Sequence, residues 1–99
     1  MPATATVLYP AGPSLNLDYY LTSHMPMVVK LWGEFGLTGY TISKPTDGPY
    51  QLLCVLNFNS LEGFQKAASS PAAKTVMGDI TNYTTAEAVI SFGEVVGSG

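Results

Sequence analysis

Apolar residues recur along this chain with two different periods, and the switches between them mark its elements. Ala3 to Tyr9 mixes Thr, Val and Tyr and stops at Pro10-Ala11-Gly12-Pro13, which predicts a first strand. From Leu17 the spacing becomes three and four: Leu17, Leu21, His24, Val28, Leu31 and Phe35 fall on one helical face. Asn16 is placed to cap that helix, and Asp18 suits its positive first turn. Pro26 interrupts the pattern. A proline ring removes one intrahelical hydrogen bond and clashes with the carbonyl four residues earlier, here that of Thr22. A kink, or two short helices meeting near His24, is therefore expected. Gly33 and Gly36 end the helical stretch.

Leu37 to Ser43 alternates and gives way to the turn-rich Lys44-Pro45-Thr46-Asp47-Gly48-Pro49. Tyr50 to Asn59 follows, with Tyr50, Leu52, Cys54, Leu56 and Phe58 on one face and apolar Leu53 and Val55 only at the centre of the other. A strand apolar on both faces at its centre belongs inside a sheet covered on both sides. Asn59-Ser60-Leu61-Glu62 looks like a capping box opening a second helix, with Leu61, Phe64 and Ala68 on one face. Ser69-Ser70-Pro71 breaks it, and Ala72, Val76 and Ile80 suggest a short third helix. Ala86 to Val96 reads as a closing strand with Ala88, Ile90 and Phe92 facing one way.

The order is β-α-β-β-α(α)-β, which predicts an α+β, ferredoxin-like fold: a four-stranded antiparallel sheet with helices on one face. Residues 1–99 are expected to form a single domain. Composition sharpens this. With 46% apolar and only 11% charged residues, the sheet face without helices is most simply covered by a second copy, giving a homodimer whose sheets close into a barrel.

Charge excludes other partners. The chain carries −3 net charge, its four basic residues are scattered lysines, and it has no arginine. Phosphate neutralisation and arginine-fork base reading both need what is missing, so no nucleic acid is expected. No segment approaches the roughly 20 apolar residues that span a bilayer, and the N-terminus lacks a signal-peptide pattern, so no membrane is expected and a cytoplasmic location is. Cys54 has no partner cysteine.

Among candidate reactive groups His24 stands alone, the one side chain whose unperturbed pKa lies near neutrality. It sits on an apolar helix face beside Pro26, one turn from Tyr20 and Val28. On spacing alone, a core histidine bonded to a neighbouring backbone group is the plainer reading and a proton carrier the sharper one. No metal-ligand spacing is present. Cys54 lies mid-strand among Leu and Val, where burial suppresses the thiolate. The acids give no obvious pair. Tyr9, Tyr40 and Tyr50 on strands, and Tyr19, Tyr20 and Trp32 on the first helix, suit a pocket for a flat, apolar, oxygenated molecule, although most could equally fill core or interface.

Asp18-Tyr19-Tyr20-Leu21-Thr22-Ser23-His24-Met25-Pro26 resembles the Y-Y-x-x-x-H-x-P signature of EthD-type proteins, named for ethyl tert-butyl ether degradation. Ser60-Leu61-Glu62-Gly63-Phe64, Ser70-Pro71 and Gly78-Asp79-Ile80-Thr81-Asn82-Tyr83-Thr84 resemble later segments of that family in the same order. The resemblance implies a dimeric α+β barrel. It also implies kinship with small cofactor-independent enzymes: polyketide cyclases, lactone isomerases, dehydratases, decarboxylases and quinone-forming monooxygenases, with pockets between helices and sheet. It makes His24 the acid/base group. Tyr19, Tyr20 and Pro26 match the motif's other positions, in structural or chemical roles.

The expected function is then cofactor-independent lyase, cyclase or isomerase chemistry on a hydrophobic aromatic or polyketide-like metabolite. His24 would move the proton, Tyr9 or Tyr40 would steady an enolate oxygen, and Tyr20, Val28 and Trp32 would hold the substrate. The alternatives are a non-catalytic ligand-binding accessory protein, a cofactor-free monooxygenase, or a dimerisation module without a cavity.

Overall fold

In the computed structural model, which describes residues 1–99, four strands form one antiparallel sheet. They are β1 (Ala3–Pro10), β2 (Leu37–Ser43), β3 (Tyr50–Phe58) and β4 (Val89–Glu94), in the spatial order β2-β3-β1-β4. Four short helices, α1 (Leu17–Tyr19), α2 (Met25–Trp32), α3 (Leu61–Ser69) and α4 (Pro71–Gly78), complete the ferredoxin-like α+β arrangement. No helix is long and apolar enough to cross a membrane.

Register fixes which side chains meet the helices. Ala5 opposes Leu56 and Phe92, Val7 opposes Cys54 and Ile90, and Tyr9 opposes Leu52. Because side chains alternate along a strand, these share one face. There Ala5, Tyr9, Leu52, Cys54, Leu56 and Phe58 are buried with Tyr20, Met25, Val28, Trp32, Phe64 and Val76 from the helical layer. The opposite face carries Thr4, Thr6, Leu8, Leu53, Val55 and Val89, with no helix over it.

The helical layer begins as its sequence dictates. Asn16 caps α1, its Oδ1 accepting the Tyr19 N–H at 3.1 Å. The proline then shows its effect. Between α1 and α2 the backbone widens into a π turn, Tyr20–His24, in which the Met25 N–H donates to the Tyr20 carbonyl five residues back. Pro26, next along, has no N–H to offer. The two short helices expected around His24 therefore meet through this π turn, a feature that often marks functional sites. Gly36 closes the stretch in the left-handed region at φ +99°, which glycine adopts without a Cβ penalty.

Two elements differ from their sequence reading. The Ser60 hydroxyl caps α3 by accepting the Gly63 N–H, but the residue three along is that glycine, so no reciprocal carboxylate completes a box. Glu62 pairs instead with Lys66 on the surface, at 3.0 Å. The closing strand is shorter than Ala86–Val96, spanning only Val89–Glu94. Ahead of it, residues 83–86 are held against the start of the first helix. The Asn16 N–H donates to the Tyr83 carbonyl, Leu15 bridges Thr84, and Thr84 Oγ1 donates to the Ser14 carbonyl. Those backbone ties bring the last third of the chain to His24.

Candidate active site

His24 ends the π turn and is buried, at 4% exposure. Its neighbours come from both ends of the chain. A 3₁₀ turn after α4, Asp79–Asn82, places the Asp79 carboxylate 2.9 Å from His24 Nδ1. The other Asp79 oxygen accepts from the Tyr19 hydroxyl at 2.7 Å and from Asn82 Nδ2 at 2.8 Å. Burial works to raise the Asp79 pKa. The bonds from Asn82, His24 and Tyr19 outweigh it and hold the carboxyl below its usual value. Asp79 is thus an anion, able to accept from Nδ1–H. In the Nδ1–H tautomer that this bond favours, Nε2 is the basic nitrogen.

Nε2 faces the Tyr83 hydroxyl at 3.5 Å, at the outer limit of a hydrogen bond. Tyr83 is in turn bonded to Tyr9, oxygen to oxygen at 2.6 Å. Tyr20 stacks on the imidazole, with ring centroids 5.4 Å apart and planes 19° from parallel. Burial pushes the pKa of Tyr9, Tyr20 and Tyr83 upward, so these phenols stay protonated donors at neutral pH. Burial also raises the Cys54 pKa, which keeps the thiol protonated and poorly nucleophilic.

Through His24, Tyr9, Tyr20 and Cys54 the cluster borders a cavity of about 220 Å³ between the helices and the sheet. Of its 17 lining residues 16 are hydrophobic, His24 being the exception, and none is charged. Its exposed rim includes Met77 and Ile90, so it opens between α4 and β4.

Of the residues singled out from sequence, His24, Tyr9, Tyr20, Val28 and Trp32 all line this cavity. Tyr40 does not. It opposes Leu56, so it points to the correct face, but β2 is the sheet edge, and Tyr40 lies outside the cavity at 39% exposure. Sequence spacing missed Asp79 and Tyr83. Asp79 reads as one of several scattered acids, and the only sign of either residue is their place in the late segment that resembles EthD-type proteins.

No protein-family model matches the chain, and no curated protein matches it. Solved structures do. An EthD-like protein from Ralstonia eutropha shares 29% identity at a TM-score of 0.84, covering 99% of this chain and 95% of that one. A dimeric ferredoxin-like protein of unknown function from Jannaschia shares 17% at 0.69, covering 96% of this chain and 100% of its own. SnoaB, a cofactor-independent oxygenase from Streptomyces nogalater represented by a point mutant, shares 9% at 0.69, covering 98% of this chain and 94% of that one. At such identities the last two show the fold alone.

Proposed function

For this chain, which belongs with the EthD-like proteins, we propose a homodimeric, cofactor-independent enzyme that moves a proton on a small hydrophobic carbonyl compound. The observation that carries this is the contact between His24 Nδ1 and Asp79 at the wall of an otherwise apolar cavity. A carboxylate accepting from Nδ1–H orients the ring and stabilises the imidazolium formed when Nε2 takes a proton.

The step is an enolisation. Nε2 removes a proton from the carbon next to the substrate carbonyl, and the electron pair moves onto the carbonyl oxygen. Tyr9, its hydroxyl bonded to that of Tyr83 behind it, donates a hydrogen bond to that oxygen, in surroundings with little water to compete. His24 then returns the proton to carbon for isomerisation, or to a leaving hydroxide for loss of water.

The homodimer is supported by the uncovered sheet face bearing Leu8, Leu53 and Val55, and by the dimeric neighbour. Packing that face against its copy makes each central strand apolar on both sides for a reason.

Hydrogen exchange tests the reading directly. The protein, incubated with α-tetralone in deuterium oxide, is expected to introduce deuterium beside the carbonyl well above the buffer rate. His24→Gln is expected to abolish this while retaining a ligand-induced rise in melting temperature. Tetralone binding with exchange only at the buffer rate would instead support a ligand-binding accessory role.

A further inference from the structure

Trp32 lies eight positions after His24, about 12 Å along a helix rising ~1.5 Å per residue. Val28 lies between them, and all three line the same cavity. Trp32 is buried, at 5% exposure, and its Nε1 is the buried side-chain polar atom with no hydrogen-bond partner. Of the other polar groups of the wall, the Tyr9 hydroxyl is bonded to Tyr83 and His24 Nδ1 to Asp79. A buried donor without an acceptor costs stability, and native proteins retain few of them. Trp32 packs near Phe58 and Phe64, whose ring centroids lie 6.3 and 6.5 Å away and which offer no lone pair.

The cavity also selects by charge. No lysine lines it, the chain has no arginine, and the Asp79 carboxylate stands behind His24. A carboxylate or phosphate entering would be desolvated without a counterion. In size, a cavity of about 150 Å³ accepts benzene, so 220 Å³ accommodates a substituted ring or a compact two-ring system.

We propose that Trp32 Nε1–H is a recognition donor for a neutral acceptor oxygen at the end of the ligand remote from His24. The cavity thereby selects two-ended, uncharged, oxygenated ring compounds over hydrocarbons and anions. This rests on the reading above for which end of the ligand reacts, but it concerns binding and not turnover.

The test uses two probes of nearly equal shape: α-tetralone with a methoxy group para to its carbonyl, and the same ketone with ethyl in its place. Trp32 is the only tryptophan, so its indole N–H gives a single ¹⁵N–¹H signal. That signal is expected to move downfield with the methoxy compound and not with the ethyl one. Calorimetry should show the methoxy ketone binding about three- to tenfold tighter, the worth of one net hydrogen bond, and Trp32→Phe should equalise the two. Equal affinities in the wild type, a preference that survives Trp32→Phe, or an indole signal indifferent to the ether would overturn the donor role. Those results leave His24 exchange chemistry standing. Binding of neither ketone would overturn both.

Discussion

His24 and Asp79 are separated by 55 positions, yet Nδ1 of one lies 2.9 Å from Oδ2 of the other. The contact decides which imidazole nitrogen carries the proton, and hence which can take one from a substrate. Asp79→Asn keeps the size and removes the charge, so the fixed tautomer is lost. Turnover in the exchange assay is expected to fall at least about a hundredfold, with ligand affinity nearly unchanged, as at other histidine–carboxylate pairs. His24 is the sole histidine, so its ring nitrogens can be followed by ¹⁵N NMR without overlap. The Nδ1–H tautomer should dominate in the wild type and lose that dominance in Asp79→Asn. Full activity in the variant would remove Asp79 from the mechanism.

The same carboxylate makes stability depend on acid. Its folded pKa lies below the unfolded value because bonds from Asn82, His24 and Tyr19 outweigh burial. Ionised Asp79 therefore contributes stability fully present above the unfolded value, about 3.9, and lost as pH falls through the lower folded value. The melting-temperature gap between wild type and Asp79→Asn should close as pH falls below the unfolded carboxyl value through the lower folded one. A gap that widens in acid would contradict the assigned direction.

Tyr9 and Tyr83 share a buried hydrogen bond of 2.6 Å. Removing one hydroxyl strands the other, so Tyr9→Phe and Tyr83→Phe should each cost about 1–3 kcal/mol of stability. The double variant leaves neither tyrosine hydroxyl stranded and should lose less than the sum of the singles, a coupling that denaturant titration measures. In the exchange assay each single variant should lose roughly tenfold to a hundredfold, below the loss on removing a sole oxyanion donor, because the partner hydroxyl remains.

Local rules made much of this legible. The Asn16 cap, the Pro26 interruption and the alternation of β3 act within a few residues, so the sequence shows them and the structure keeps them. His24 was visible because it is the chain's one histidine, the side-chain type whose unperturbed pKa lies near neutrality. Tyr40 shows the limit. Alternation gives its face correctly, but whether a strand is central or at the edge is a long-range property, and that put it outside the cavity. Asp79 is the converse case. Nothing near it in sequence distinguishes it from the other acids; long-range ties such as the bridge of Leu15 to Thr84 and the Asn16–Tyr83 backbone bond carry its turn to His24.

Gly63 reports on helix placement. A Cβ built there would collide with the Phe35 carbonyl oxygen, a backbone atom that cannot swing aside. α3 can therefore approach the turn before β2 only with glycine at this position. Gly63→Ala should destabilise the fold by about 1–3 kcal/mol despite alanine's better helix propensity. Thermal melts would show a drop of several degrees; an unchanged or raised melting temperature would mean the two elements sit farther apart in solution.

The uncovered sheet face supplies the last test. Val55 lies opposite Thr6 and Thr41 at the centre of that face, on the side of β3 away from the cavity. In a dimer it would be buried between sheets, where a carboxylate has no counterion; in a monomer it would remain beside water. Val55→Glu should therefore convert a species of twice the 10.5 kDa chain mass into one of single mass, as read by light scattering after gel filtration. Because the side chain points away from His24, circular dichroism and tetralone affinity at high protein concentration should change little. A wild type already of single mass would show that threonines and a few aliphatic side chains suffice to keep this face in solvent.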